Sequence, residues 1–222
     1  MDEHKICFIS CINNAEDYEE CLLYLKQLHI PDGMETEVLS VEHADSMTSG
    51  YNSAMHASDA KYKIYLHQDV FITNKNYLNN VLDLFQRHPE IGLIGLAGSE
   101  SLPPSAIWWQ GDCIYKNVAH VICPELLNCE ANKAIDTDFI YMEAVDGLLM
   151  ATQYDLEWRE DVFTGWHFYD ISACMEFSKA GYRIAIPRQD KPWCIHECGD
   201  KWLDENYEKW RNVFLNTYKT TN

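Results

Sequence analysis

The apolar pair Tyr65-Leu66 runs into His67-Gln68-Asp69, a triplet whose first and last residues can bind a divalent cation. A carboxylate directly behind an apolar strand either caps the next turn or coordinates a cation. Open parallel sheets gather their ligands at the carboxyl ends of the strands, which favours coordination for Asp69. Positions 67 and 69 are two apart, so on an extended chain both side chains point the same way. The pair is compatible with a mixed nitrogen and oxygen metal site, although a lone strand histidine is more commonly a satisfied structural residue. The same rule singles out the ends of two earlier apolar runs, Ser10-Cys11-Ile12-Asn13 and Val41-Glu42. Those two ends could read a nucleotide base and ribose while the third holds a metal. Asp170 opens a helical pattern, where a carboxylate is favoured by the helix macrodipole. Trp108, Trp109 and Trp166 offer faces on which a sugar ring packs, or else anchor core and loops, the commoner role of each taken singly.

These residues need a scaffold, and the hydrophobic pattern supplies one. Lys5–Cys11 reads as a strand, and Ala15–Leu28 as a helix with Tyr18, Cys21, Leu22, Leu25 and Leu28 on one stripe. Pro31-Asp32-Gly33 turns the chain into a second strand, Glu35–Val41, and Asp45–Ser58 reads as a second helix. Lys63–Ile72 is expected as a third strand, Asn74–Arg87 as a third helix stopped by His88-Pro89, and Ile91–Ala97 as a fourth strand. Strands alternating with helices predict a parallel sheet covered on both faces. Beyond it, Gly98–Asp112 reads as a long loop and Glu143–Thr152 as a strand. Phe168–Ala180 is expected as a helix closed by Gly181, Arg183–Pro187 as a strand, Lys191–Gly199 as a loop, and Lys201–Tyr218 as a helix packed on the body by Trp202, Leu203, Tyr207, Trp210, Phe214 and Leu215.

With 222 residues, 47% of them hydrophobic and 13% aromatic, the chain can build one sizeable core, and one domain is expected. A formal net charge of −18 repels the phosphates of nucleic acids, so neither DNA nor RNA is an expected partner. An anionic ligand such as a nucleotide would need a divalent cation or a local cluster of cationic and N–H groups. No apolar stretch of about 18 residues or more predicts a membrane span, and Met1-Asp2-Glu3-His4-Lys5 does not open like a signal peptide, so a cytoplasmic protein is expected. Nine cysteines sit mostly inside apolar patterns, among them Cys7, Cys11, Cys21, Cys113, Cys123 and Cys174, and read as free thiols. Phosphate-loop, dinucleotide-binding and nucleophile-elbow signatures are absent, which removes support from kinase, dehydrogenase and hydrolase functions.

The run Ser46–Asp69, with Ser49-Gly50-Tyr51-Asn52 opening toward Ala57 and then Tyr62-Lys63-Ile64-Tyr65-Leu66-His67-Gln68-Asp69, resembles the inverting glycosyltransferase family 2 pattern. In that pattern a helix bearing Asn and small residues precedes a strand ending in Asp-x-Asp. The likeness continues through Gly92-Leu93-Ile94-Gly95-Leu96-Ala97-Gly98 and Trp108-Trp109. It extends to Val145-Asp146-Gly147-Leu148-Leu149-Met150-Ala151-Thr152 and to Phe163-Thr164-Gly165-Trp166-His167-Phe168-Tyr169-Asp170. These segments cover most of the chain and look like a small bacterial branch of the family. The resemblance implies an α/β fold of GT-A type with a mostly parallel nucleotide-binding sheet flanked by helices. One domain would span 1–222, with a nucleotide-binding half over 1–98 and an acceptor-binding half and C-terminal helix over 99–222.

Carried over, Asp69 matches the second Asp of Asp-x-Asp and would ligate the Mn²⁺ or Mg²⁺ that bridges a diphosphate. His196, in Trp193-Cys194-Ile195-His196-Glu197-Cys198-Gly199, stands where such enzymes often supply a third metal ligand. An ordinary loop histidine is one alternative for His196. A zinc site with Cys194 and Cys198 is another, but it lacks the distant second pair that structural zinc favours. His67 stands in place of the first Asp, beside the ribose. Asp170 matches the Asp of the Glu-Asp pair and would be the base, with Tyr169 replacing the Glu. Ser10, Asn13, Glu42, Asn52 and His67 are expected to contact the nucleotide sugar, and Trp108, Trp109, Asp146, Gly147 and Trp166 to line the acceptor pocket. The implied reaction moves a sugar from a UDP or GDP sugar to a saccharide or other hydroxyl acceptor, as in polysaccharide or glycoconjugate synthesis. A catalytically silent module that binds a sugar nucleotide or a protein is the rival reading. A nucleotidyltransferase is a weaker rival, because Ser10-Cys11-Ile12-Asn13-Asn14 has no Gly-rich basic loop.

Overall fold

The computed structural model describes residues 1–122, 125–128, 135–197 and 205–218. β1 (Asp2–Ile12) alternates its buried side chains, Ile6 and Phe8 toward one cluster and Cys7, Ile9 and Cys11 toward another. That period of two lets a central strand serve both faces of a sheet. α1 (Ala15–Leu25) starts where the Asn14 side chain accepts the Glu16 N–H at 3.0 Å. It lays Tyr18, Cys21 and Leu25 into the first cluster. After β2 (Glu35–Glu42), α2 (Met47–Ala57) opens on a capping box of Ser46 and Ser49 and sends Met47, Tyr51, Ala54 and Met55 into the second cluster. A Cβ on Gly50 would lie 2.4 Å from the Cys11 sulfur, so the absent side chain is what lets this helix approach β1.

β3 (Ala60–Leu66) pairs in parallel with β1, and the strand expected over Lys63–Ile72 breaks after it. Residues 67–69 turn, with the Val70 N–H donating to the His67 carbonyl at 3.2 Å, and β4 (Val70–Ile72) joins a different sheet. α3 (Tyr77–Arg87) begins at Tyr77 rather than Asn74. The Asn74 carbonyl and side chain first accept the N–H groups of Tyr77 and Asn76, at 3.0 and 3.1 Å, in a turn.

The strand expected over Ile91–Ala97 also divides, into β5 (Ile91–Ile94) and β6 (Ala97–Ser99). The expected loop Gly98–Asp112 therefore begins inside a strand, and it contains a 3₁₀ turn at Trp108–Gln110. β7 (Ile114–Lys116), β8 (Ala119–Ile122), β9 (Glu125–Asn128) and β10 (Phe139–Met142) follow. Glu143–Thr152 splits into β11 (Ala144–Val145) and β12 (Leu149–Thr152) around residues 146–148. α4 (Tyr169–Lys179) and β13 (Arg183–Pro187) occupy their expected places, with Gly181 at φ 89° closing the helix. The expected loop Lys191–Gly199 holds β14 (Cys194–His196), and the last helix, α5, covers Tyr207–Thr217.

The main sheet has the order β10-β13-β5-β12-β3-β1-β2. β1, β2, β3, β5 and β13 run one way, while β10 and β12 run the other, so the sheet is mostly rather than wholly parallel. Strands from before and after residue 98 share it. Inside it, the wholly buried Lys63 ammonium donates to both Asp155 carboxylate oxygens at 2.9 Å, a buried charge kept because its partner is kept. A smaller sheet, β4-β14-β8-β9, and another, β11-β6-β7, stand beyond the point where the chain leaves β3 and β5. Among the described residues Cys7, Cys11, Cys21, Cys113, Cys174 and Cys194 are free thiols, as expected. Among those residues no helix is long and apolar enough to cross a membrane. Cys123, Cys198, Trp202 and Leu203 lie outside the described residues.

Candidate active site

The break after β3 builds the site. β14 pairs antiparallel with β4 in the register His196↔Val70, and the Glu197 N–H donates to the Asp69 carbonyl at 2.9 Å. This pairing brings a residue from late in the chain against the turn at 67–69. One ligand atom each from His67, Asp69 and His196 lies within 4.8 Å of the others. His196 Nε2 is 3.5 Å from Asp69 Oδ1, and the His67 and His196 rings are 5.5 Å apart. Metal–ligand bonds of about 2.1 Å allow ligand atoms to be separated by up to about 4.2 Å, so the cluster is close to the size a bound ion needs.

The charge states also suit an ion. Burial pushes the Asp69 carboxyl upward, but the hydrogen bond to His196 and the neighbouring His67 ring outweigh it and hold the group below its ordinary value. Burial lowers the His67 pKa and His196 lowers it further, against the pull of Asp69. An ionised carboxylate beside neutral imidazole is the state that binds metal. His67 Nε2 meets the Tyr169 hydroxyl at 2.5 Å. His120, buried on β8 and paired in register with His196, places its ring 5.7 Å from that residue, and burial pushes its pKa down to about 4.

Asp170 stands in the first turn of α4, directly after Tyr169. Its Oδ2 accepts the Gly147 N–H at 3.0 Å. Burial, reinforced by the charge of Asp146, raises its pKa to about 7 despite backbone donors at Ile171 and Gly147. A carboxylate with that value is well matched to proton abstraction near neutral pH. The 146–148 turn joins Asp170 to the group of His67, Asp69 and His196. Asp146 Oδ1 accepts the Leu148 N–H at 2.9 Å, the Leu148 carbonyl accepts the His67 N–H at 3.0 Å, and a Cβ on Gly147 would lie 2.2 Å from the Tyr169 hydroxyl.

The remaining expected contacts divide. Asn13 lies at the rim, where Gln68 ties it down. The Gln68 side-chain oxygen accepts the Asn13 and Asn14 N–H groups at 2.7 and 2.9 Å, and its nitrogen donates to Asn13 Oδ1 at 2.7 Å. Glu42 is exposed at the end of β2. Ser10 is 1% exposed, so its side chain is closed off within the sheet. Asn52 lies inside the core, where its amide donates to the Trp158 carbonyl and accepts the Trp158 N–H, at 2.9 and 2.8 Å. Both its amide oxygen and its amide nitrogen hold a backbone segment. Trp108 is likewise buried and braces Trp109 edge to face, whereas Trp109 and Trp166 are 41% and 45% exposed. Trp166 lines an open cleft with His167, Asn206, Lys209 and Trp210.

Sequence reasoning missed Gln68 and the bond between His67 and Tyr169. Residue 68 sits between two candidates and carried no signal of its own, while positions 67 and 169 are linked only by folding.

A family model described as a glycosyltransferase-like family matches residues 7–218. No curated protein matches the sequence. Among solved structures, the mannosyltransferase PcManGT from Pyrobaculum calidifontis, in complex with GDP-Man and Mn²⁺, is similar over 99% of this chain and 65% of its own, with 13% identity and a TM-score of 0.59. S. aureus TarS in complex with UDP-GlcNAc is similar over 90% of this chain and 59% of its own, with 10% identity and a TM-score of 0.55. The TarS complex with UDP gives 14% identity, coverage of 87% and 60%, and a TM-score of 0.53. The chain thus spans less than two thirds of each of these proteins, and at such identity the likeness is one of fold.

Proposed function

This chain belongs to the glycosyltransferase-like family, and from that premise we propose that it transfers a sugar, with inversion, from a nucleoside diphosphate sugar to a hydroxyl acceptor. One observation carries the reading: a carboxylate whose pKa is about 7 shares the Gly147 turn with a cluster of three metal-binding side chains at the carboxyl end of β3. His67, Asp69 and His196 would hold Mn²⁺ or Mg²⁺, which supplies charge stabilisation to a departing diphosphate. Asp170 takes the proton of the acceptor hydroxyl as its oxygen forms the new bond to the anomeric carbon and the bond to the diphosphate breaks on the opposite face. The Gly147 N–H holds the carboxylate in place for that step.

The donor is a UDP or GDP sugar, a class supported by the donors named in the complexes of similar fold. Asn13, held by Gln68, and Glu42 lie at the ends of β1 and β2 and face the nucleotide. Trp109 and Trp166 offer exposed faces to a saccharide acceptor. Residues 99–222 form the acceptor-binding half of one domain. Buried free thiols fit a reducing compartment, and we place the reaction in the cytoplasm.

The experiment is a panel of UDP and GDP sugars, with Mn²⁺, scored for donor hydrolysis and for transfer to saccharide acceptors. Asp170→Asn is expected to lower turnover by about 10²–10⁴-fold while donor binding is retained. Full activity in that variant would remove Asp170 as the base. A second reading, a binding module without catalysis, rests on Tyr169 standing where a Glu is expected. Donor binding without metal-dependent hydrolysis or transfer by the unaltered chain would favour it.

A further inference from the structure

The two departures from the family pattern, His67 for Asp and Tyr169 for Glu, stand far apart in sequence and touch in space. The Tyr169 hydroxyl meets His67 Nε2 at 2.5 Å, and Tyr169 is itself 4% exposed, packed against Tyr51 and Trp158. Its hydroxyl lies over Gly147, where any side chain would collide with it. A phenol fixed by an aromatic cage and a glycine is a rigid partner for one ring nitrogen. Metal-bound histidines characteristically donate their second ring N–H to such a partner, which fixes tautomer and ring orientation. With Nε2–H donated to the tyrosine oxygen, the lone pair on Nδ1 is the one left for an ion.

We propose that His67 and Tyr169 form one unit that gives the site two imidazoles and one carboxylate, and so selects a first-row transition ion over Mg²⁺. Mg²⁺ prefers oxygen ligands and loses its waters reluctantly, while the affinity of a mixed nitrogen and oxygen site for first-row ions rises from Mn²⁺ through Co²⁺ to the later ions, which imidazole suits best. An aspartate at position 67 would offer the harder ligand set. Tyr169 acts through His67 and is a positioning residue. The proposal rests on the metal site of the proposed function, but its test needs no donor, acceptor or turnover.

The test uses the full chain titrated calorimetrically with MnCl₂, CoCl₂ and MgCl₂, and followed by the visible spectrum of bound Co²⁺. Mn²⁺ is expected to bind about tenfold or more tightly than Mg²⁺, and Co²⁺ more tightly still. Tyr169→Phe keeps the ring in its cage and is expected to weaken Mn²⁺ by about 10–100-fold and to change the Co²⁺ spectrum. Loss of packing alone leaves that spectrum unchanged. His67→Asp, its fold checked by circular dichroism, is expected to narrow the preference for Mn²⁺ over Mg²⁺ by about tenfold or more. Equal binding of Mg²⁺ and Mn²⁺ by the unaltered chain, binding of neither, or a Tyr169→Phe chain with unchanged affinity and spectrum overturns the proposal. Sugar transfer without metal discrimination sinks this unit and leaves the transferase reading standing. Discrimination without transfer does the reverse.

Discussion

Asp170 shows how one residue carries both a cost and a use. Its pKa of about 7 lies above the ordinary carboxyl value because burial and Asp146 disfavour the anion. The folded chain therefore holds that proton more tightly than the unfolded chain, and stability falls as pH rises from about 4 to about 7. Asparagine can accept the same Gly147 N–H without the charge. In metal-free buffer Asp170→Asn is expected to be more stable than the unaltered protein by about 1–3 kcal/mol at pH 8, with the difference closing toward pH 4. Urea denaturation at the two pH values measures it, and a gap independent of pH would refute the titration. The candidate residues themselves were legible in the sequence where a polar group ended an apolar run, as at Asp69. Asn52 looked equally suitable, but nothing in a sequence shows which neighbour will occupy an amide. Trp158, far along the chain, occupies this one.

At the scale of elements, the site depends on where strands stop. Residues 67–69 form the turn at which the chain leaves the main sheet and residues 146–148 the turn at which it re-enters it, and both read from sequence as the interiors of longer strands. The apolar runs continue across them because β4 and β11 are buried as well, in other sheets. Periodicity reports burial and not which sheet a residue joins. β14 was read as a loop because a three-residue strand has no period to detect. The Gly147 turn tests the coupling between these pieces. Gly147→Ala forces a Cβ against the Tyr169 hydroxyl, 2.2 Å away, and is expected to cost about 1–3 kcal/mol. It should also weaken metal binding, because the hydroxyl it displaces holds His67. An alanine variant with unchanged stability and Mn²⁺ affinity would show that the turn yields freely.

Across the whole molecule, charge and fold act on different properties. The formal net charge of −18 is self-repelling, and salt screens it, since the Debye length falls from about 30 Å at 0.01 M to about 8 Å at 0.15 M. Raising NaCl over that range is expected to stabilise the protein by about 1 kcal/mol, or about 2–4 °C in melting temperature. A scanning calorimetry series checks it, and a falling melting temperature would show that ion pairs such as Lys5 with Glu37 and Asp59 outweigh the repulsion. The alternation of strands and helices, the mostly parallel sheet and the family likeness were determined by the sequence alone, because local periodicity and motif spacing survive without knowledge of the fold. The tertiary structure alone decided that His196 meets Asp69, that Tyr169 meets His67, and that Gly147 lies against both Asp170 and Tyr169. Those contacts join residues distant along the chain, and only sheet pairing and close packing bring them within bonding distance.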